Sequence, residues 1–274
     1  MKKLLIILIF IIALAGCKRK EDIGESNETD YGVFLGADPS DISFMLKYDE
    51  IVIDAQYYSK DEISYMKSQG KRVLSYINVG AIEDFRDYYN DYLNITLGDY
   101  ENWEEERWVD VSSSSWQAFI LDTLAPSILN KGVDGLFVDN CDVYYEYQTN
   151  EIFSGLEVIL KSLTKSTYVS INGGDTFVYK YYEEYGNITD IMNAVNQETV
   201  FSKINWNKKN SFGSASKDDR EYFKEDVEFV HDNGCDVYLL EYTKSASLIE
   251  KIDSYCKEKG FKYYASKTLE LLAS

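Results

Sequence analysis

Eight short apolar runs, rich in β-branched and aromatic residues, alternate along this chain with amphipathic stretches of helical periodicity. Such an alternation predicts βαβ units and a parallel sheet. The predicted strands cover residues 32–36, 50–55, 72–78, 135–139, 167–172, 188–195, 236–242 and 261–265. Eight strands in this order favour a closed barrel.

Helical patterns lie between the predicted strands, for example over residues 60–69, 116–130 and 220–232. Gly70, Gly132, Gly234 and Gly260 each follow such a pattern and precede a strand, as expected for helix C-termini. A doubly wound open sheet is the alternative, but no Gly-x-Gly-x-x-Gly turn or phosphate-binding loop follows any predicted strand. We therefore expect an α/β protein whose residues 31–274 form a single (β/α)8 TIM-type barrel.

The N-terminus has the order of an export signal. Lys2 and Lys3 precede an apolar run, which is followed by Ala15, Gly16 and Cys17. The run is about half of the ~20 residues needed to span a bilayer. Small residues directly before a cysteine resemble the lipobox of bacterial lipoproteins, in which that thiol is acylated.

These features predict three segments. Residues 1–16 form a lipoprotein signal peptide, and residues 17–30 form a flexible tether that is anchored by a lipid on Cys17. The folded domain then lies outside the cytoplasm, held at a bacterial membrane.

Composition excludes several classes of chemistry. The formal net charge of −19 disfavours binding to nucleic acid and favours cationic partners, although solubility alone also explains it. The single histidine, His231, excludes histidine-based zinc sites and Ser-His-Asp triads. Neither the cysteines nor the acidic residues have metal-binding spacing. We expect no cofactor, no metal and a monomer, which leaves carboxylate chemistry.

Polar residues, most of them acidic, follow the predicted strands. In a parallel barrel the strand ends build the active site. The set comprises Asp38, Asp54, Tyr76, Asn78, Glu83, Asp139, Asp142, Asn172, Asn196, Glu198, Glu241 and Tyr242, with Asp110 on a further short extended piece. Converging carboxylates are what glycosidic bond cleavage requires. For any single acid, helix capping or an ion pair is the alternative role.

Aromatic residues also lie just beyond the predicted strand ends, and aromatic rings stack on sugar faces. Those that could line a saccharide groove are Tyr57, Tyr58, Tyr144, Tyr145, Tyr147 and Trp206. Packing is the alternative role for each of them.

Several motifs together carry a family resemblance. They are Val73-Leu74-Ser75-Tyr76-Ile77-Asn78-Val79-Gly80-Ala81-Ile82-Glu83, Trp108-Val109-Asp110, Gly135-Leu136-Phe137-Val138-Asp139-Asn140-Cys141-Asp142 and Asn196-Gln197-Glu198, with Asp54 before them and Glu241-Tyr242-Thr243 after them. In this order and spacing they resemble glycoside hydrolase family 114, the endo-α-1,4-polygalactosaminidases. The likeness spans nearly the whole domain.

The resemblance implies a (β/α)8 barrel that cleaves a galactosamine-containing exopolysaccharide, often partly deacetylated. It implies that Asp139 is the nucleophile and Glu198 the acid/base of a retaining mechanism, and that Asp54, Asp142 and Glu241 shape the sugar subsites. We also expect the charges of Asp139 and Glu241 to raise the pKa of Glu198. One departure from the family pattern is the Asn140-Cys141 pair between two of the acids.

The remaining strand-end residues are predicted to bind substrate; they are Tyr76, Asn78, Glu83, Asp110, Asn172 and Tyr242. Two alternatives stay open. The barrel could be a lipid-anchored carbohydrate-binding protein without activity, since a fold does not dictate a function. It could also hydrolyse a different α-linked amino-sugar polymer.

Overall fold

The computed structural model describes residues 30–273, so the predicted signal peptide, Cys17 and residues 17–29 of the predicted tether lie outside the described residues. Within residues 30–273, no helix has the length and apolar character needed to cross a membrane.

Eight parallel strands form one sheet in sequential order. They are β1 (Tyr31–Phe34), β2 (Glu50–Ile53), β3 (Arg72–Asn78), β4 (Gly135–Asp139), β5 (Tyr168–Asn172), β6 (Ala194–Glu198), β7 (Asp236–Tyr242) and β8 (Lys262–Ser266). The sheet curls until β8 lies beside β1, where the rings of Tyr264 and Phe34 meet at a centroid distance of 5.2 Å. The result is a nearly closed (β/α)8 barrel, which confirms the predicted fold class.

Helices connect the strands on the outside of the barrel. The main ones are Ile42–Met45, Lys60–Ser68, Asn150–Thr164, Asp175–Tyr185, Lys217–Asp232 and Ala246–Lys259. The connection after β3 contains Ser114–Ala118, a π-helical turn Phe119–Leu124 and Ala125–Leu129. Pro126 has no N–H to donate, which explains why the regular hydrogen-bond ladder is interrupted there.

Two insertions at the C-terminal ends of the strands enlarge one face of the barrel. After β3, the strands Ala81–Glu83, Thr96–Asp99 and Glu106–Val109 form a small antiparallel sheet, accompanied by the helical turn Tyr89–Tyr92. After β6, Ser202–Ile204 pairs with Phe212–Ser214 as a hairpin. A short helix, Val143–Glu146, follows β4. The site described below lies between these additions.

The four predicted helix stops all have positive φ angles, between 75° and 98°, as C-terminal glycines do. The predicted strand over residues 188–195 is wrong in position, because β6 begins only at Ala194. Ile188, Ile191 and Met192 are fully buried in the turns that lead to it, which explains why they resemble a core strand. β6 itself carries Asn196, Gln197 and Glu198, so its sequence is too polar to be recognised as buried.

At the N-terminal ends of the strands, the barrel is closed by a buried carboxylate whose charge is compensated. Glu50, which is 2% exposed, accepts hydrogen bonds from Arg72 at 3.0 Å, Lys262 at 3.0 Å and the Tyr238 hydroxyl at 3.1 Å. Because two cations and a hydroxyl surround this carboxylate, its burial is offset. This end of the barrel therefore contributes to stability.

Candidate active site

A cleft of about 1300 Å³ opens at the C-terminal ends of the strands, between the two insertions. Its floor contains the ends of β4, β5, β6 and β7, which contribute Asp139, Asn172, Glu198 and Tyr242. In a parallel barrel this is the face where polar side chains from separate strands converge.

The side chain of Asn172 joins two carboxylates. Its Nδ2 donates to Asp139 Oδ1 at 2.9 Å and to Glu198 Oε1 at 3.0 Å. Since both oxygens bind one nitrogen, they lie within about 6 Å of each other. The other oxygen of Glu198 accepts from the Tyr242 hydroxyl at 2.9 Å. Two acids from β4 and β6 thus face each other across β5.

The orientation of the Asn172 amide is set by a chain of hydrogen bonds that crosses the barrel. Asn196 Nδ2 donates to Asn172 Oδ1 at 2.6 Å, and the Tyr31 hydroxyl donates to Asn196 Oδ1 at 2.9 Å. Burial raises the pKa of Tyr31 well above its ordinary value, so its hydroxyl stays a donor. Asn172 therefore presents its NH2 group, and not its oxygen, to the carboxylates.

Burial raises the pKa of both Asp139 and Glu198. For Asp139 the hydrogen bond from Asn172 acts against this, and for Glu198 the negative charge of Asp139 adds to it. The direction for Glu198 agrees with the expectation, but burial is the largest cause, Asp139 contributes after it, and Glu241 is not among the groups that shift this pKa. The pair is arranged so that one acid keeps a proton while the other ionises.

A second carboxylate pair lies in the same cleft and is joined by a cation. Arg86 donates to Asp54 at 2.7 Å and to Glu83 at 3.0 Å, and all three side chains are buried. Burial would lower the pKa of Arg86, but the Glu83 and Asp54 carboxylates outweigh it and hold that pKa above its ordinary value. The guanidinium thus offsets the negative charge of these carboxylates.

Asp142, at the start of the connection after β4, lies deeper in the same cleft. Its Oδ1 accepts from the backbone N–H of Gly174 at 3.2 Å. Burial, followed by the charge of Asp175, raises the pKa of Asp142 to about 7. Asp226, which is 1% exposed, also faces these two acids, and burial together with them raises its pKa to about 7.

Most predicted site residues line the cleft, but three do not. The residues in the wall are Asp54, Tyr76, Glu83, Asp139, Asp142, Asn172, Glu198 and Tyr242. Asn78 lies behind the wall and accepts from the backbone N–H of Ala81 at 2.8 Å. Asp110 accepts from the N–H of Ser112 at 3.0 Å, as in a tight turn.

Glu241 is also placed away from the cleft wall. It is fully buried, and its oxygens accept from the backbone N–H groups of Phe201 and Ser202 at 2.9 and 2.8 Å and from the Ser202 hydroxyl. The predicted role in a sugar subsite thus does not fit this placement. Its contacts indicate that it fixes the loop after β6, directly beyond Glu198.

The cleft wall is strongly acidic. Among the described residues that line it, thirteen are acidic and Arg86 is the one cation. The acidic set is Asp54, Glu83, Glu101, Glu105, Glu106, Asp139, Asp142, Glu146, Asp175, Glu198, Asp218, Asp219 and Glu270. No group of three or more His, Cys, Asp or Glu side chains in residues 30–273 is placed to hold a metal ion.

Exposed aromatic rings form the rim. Tyr57, Tyr145 and Trp206 line the cleft as predicted, and they are 46% to 60% exposed. Tyr58, Tyr144 and Tyr147 are not part of its wall. Trp103, from the insertion after β3, meets Trp206, from the insertion after β6, edge to face at a centroid distance of 6.0 Å.

Residues 25–272 match the model of glycoside hydrolase family GH114. The chain belongs to this family.

Curated relatives of this GH114 chain include an uncharacterized protein of Methanocaldococcus jannaschii, which is 24% identical over 238 residues, covering 77% of this chain and 65% of that protein. An uncharacterized protein of Thermotoga maritima is 27% identical over 126 residues, covering 42% of this chain and 38% of that protein. The chain thus spans less than two thirds of the length of either relative.

Solved structures share the GH114 barrel. The glycoside hydrolase domain of PelA from Pseudomonas aeruginosa superposes with a TM-score of 0.71 at 19% identity, covering 88% of this chain and 95% of that one. Aspergillus fumigatus Ega3, in complex with galactosamine, superposes with a TM-score of 0.68 at 16% identity, covering 90% and 93%. At such low identity these likenesses establish the fold.

Arg86 and Glu106 are two of the charged residues of the GH114 cleft that sequence reasoning missed. Both lie in the insertion after β3, away from any barrel strand end. One local feature of the sequence pointed to Arg86, because it lies three residues after Glu83, with which it forms an ion pair. Another pointed to Glu106, because it lies two residues before Trp108, where the predicted extended piece begins, and shares its strand face.

Proposed function

We propose that this protein is an exported, lipid-anchored, endo-acting hydrolase of α-1,4-linked galactosamine polymer. The observation that carries the proposal is the charge of the cleft. Thirteen acidic side chains face one cation, and that cation is already paired with two of them. Free amines of a deacetylated amino sugar are cationic at neutral pH, so the cleft attracts such a polymer.

The proposed mechanism is a double displacement at the anomeric carbon. Glu198 gives its proton to the leaving glycosidic oxygen while the Asp139 carboxylate attacks C1 and forms an ester with the sugar. The deprotonated Glu198 then takes a proton from water, whose oxygen attacks C1 and releases Asp139.

The spacing of the two acids supports retention of configuration. Retaining glycosidases separate their carboxyls by about 5 to 5.5 Å, and inverting ones by about 6.5 to 9.5 Å. The shared contact with Asn172 keeps the facing oxygens of Asp139 and Glu198 within about 6 Å of each other, which is less than the separation in inverting enzymes.

The shape of the cleft supports an endo mode of attack on a polymer. The exposed rings of Tyr57, Tyr145 and Trp206 line this cleft of about 1300 Å³ together with Asp139 and Glu198, and they offer stacking faces for further sugars of a chain. The galactosamine in the Ega3 complex belongs to a protein with the same fold. It supports galactosamine as the sugar to test first.

The decisive experiment incubates the mature protein with partly deacetylated α-1,4-polygalactosamine and follows release of oligosaccharides. Asp139→Asn and Glu198→Gln should each lower the rate by at least ~10³-fold. Asp122→Asn, the same chemical change on an exposed outer position, should leave it unchanged. Equal release by all variants, or binding of the polymer without any release, would sink the proposal and favour a carbohydrate-binding role.

The lipid anchor has its own test. A bacterium that expresses the chain would be fed an alkyne-labelled fatty acid and fractionated. We expect label on the wild-type chain in the membrane fraction and none on Cys17→Ser. Unlabelled wild-type protein would mean that the N-terminal motif is not a lipobox.

A further inference from the structure

Glu106 is a third carboxyl at the reaction centre, and none of the predicted roles includes it. It lies at the start of the strand Glu106–Val109, in the insertion after β3, and lines the cleft. Asn140 Nδ2 donates to its Oε2 at 3.1 Å, and Asn78 Nδ2 approaches the same oxygen at 3.4 Å. Its other oxygen, Oε1, has no hydrogen-bond partner among the protein groups described here.

Both amides are held so that they act as donors to Glu106. The oxygen of Asn78 already accepts from the backbone N–H of Ala81 at 2.8 Å, which turns its nitrogen toward the carboxyl. Asn140 follows Asp139 with a left-handed φ of 66°. Gly80 makes room for this, because a Cβ there would lie 1.8 Å from the Asn140 carbonyl oxygen. Asn140, where the sequence departs from the family pattern, is thus part of the site.

Burial and the neighbouring carboxylates favour the neutral form of Glu106. Burial raises its pKa to about 8, and the charges of Asp139 and Glu83 add to this, while the two amide hydrogen bonds act against it. The hydroxyls of Tyr76 and Tyr100 also lie nearby, and both have raised pKa values. The adjacent Arg107 is bound by Tyr89 and Asp99.

We propose that Glu106 contacts the substrate as a neutral carboxylic acid and donates a hydrogen bond from Oε1 to the sugar that is bound beside Asp139. Because Oε2 accepts from the amides, the proton resides on Oε1, which is free to meet a hydroxyl or ring-substituent oxygen of the sugar. This inference rests on the proposed function, since it assigns a further contact within that site.

Two variants separate a neutral donor from a carboxylate. Glutamine has an oxygen to accept from Asn140 and an NH2 group to donate into the cleft, so it imitates the neutral acid. We expect Glu106→Gln to keep kcat/KM within about threefold at pH 6 and to weaken the fall in rate above about pH 8. The kcat/KM of Glu106→Ala should fall about 10- to 100-fold at pH 6. Equal losses in both variants would mean that Glu106 works as an anion, and no loss in Glu106→Ala would mean no contact. Either result overturns the proposal.

A second measurement needs no activity, so it distinguishes failure of this inference from failure of the proposed function. The melting temperatures of the full chain and of Glu106→Gln, both purified in detergent, are compared from pH 4.5 to pH 9. Wild type keeps a proton that its unfolded chain loses, so its stability falls through this range up to about pH 8. The melting temperature of the variant should therefore rise relative to wild type by several degrees and then level off. A constant difference between pH 5 and pH 9 would show an ordinary, ionised glutamate.

Discussion

Two carboxylate pairs lie in one cleft, and each is joined by a single nitrogen-bearing side chain. Arg86 joins Asp54 to Glu83, and Asn172 joins Asp139 to Glu198. The arginine carries a charge that offsets the charge of its partners, whereas the asparagine is neutral. The first pair is therefore compensated by a cation, and the second retains the raised pKa values that proton transfer needs.

The difference assigns separate tasks to the two pairs. A buried ion triad fixes the insertion after β3 against the barrel. An amide bridge holds two acids at a set distance without neutralising either of them. Removing the charged bridge should thus affect mainly stability, and removing the neutral bridge should affect mainly chemistry.

Loss of the cationic bridge should have the largest effect. Arg86→Met leaves Asp54 and Glu83 buried without a partner, which should lower the free energy of unfolding by about 3 to 5 kcal/mol in a urea titration. The triple variant Arg86→Met, Asp54→Asn, Glu83→Gln should recover much of this loss. A single variant as stable as wild type would show that solvent reaches the pair.

Loss of the neutral bridge should act on catalysis. Asn172→Ala removes the donor that both Asp139 and Glu198 share, so kcat on the galactosamine polymer should fall about 100-fold. The free energy of unfolding should change by no more than about 1 kcal/mol. Asn90→Ala, at an exposed position, is the matched control. An unchanged kcat with a raised KM would instead make Asn172 a substrate-binding residue.

Tyr31, at the far end of the hydrogen-bond chain that orients Asn172, offers a test with a smaller expected effect. Tyr31→Phe removes the hydroxyl that orients Asn196, and through it Asn172, without touching the cleft. We expect kcat to fall about fivefold to tenfold with little change in KM, because the amide then samples the flipped orientation. The acidic limb of the pH–rate profile should also move. A change in stability alone, with the profile intact, would argue for a packing role.

Much of this architecture could be predicted from sequence because it depends on local patterns. Apolar strands, helix stops at glycine and acids at strand ends are visible to periodicity, and Asp139 and Glu198 follow from them together with the family motifs. The predicted position of β6 was wrong because Asn196 and Gln197 give this buried strand a polar sequence. Arg86 and Glu106 were missed because an insertion, whose position no periodicity reveals, carries them over the barrel.

The smallest predicted effect concerns Asp226, which is buried and is acted on by the charges of Asp175 and Asp142. Burial and nearby charge raise the pKa of Asp226 from an ordinary 3.8 to about 7. The folded state thus keeps a proton that the unfolded chain releases, and this contribution to stability falls as the pH rises from about 4 to about 7.

Asp226→Asn removes the titration. Relative to wild type, its free energy of unfolding should rise with pH between 4 and 7, by on the order of 1 kcal/mol once local relaxation is included. Asp232→Asn, an exposed acid on the same helix, should show no such trend in urea titrations at several pH values. A flat difference for Asp226→Asn would mean that this acid is already ionised near pH 4. In that case the acids near this cleft could stay ionised without an Arg or Asn side chain that bridges them. The contrast between the Arg86 and Asn172 bridges would then have to rest on geometry alone.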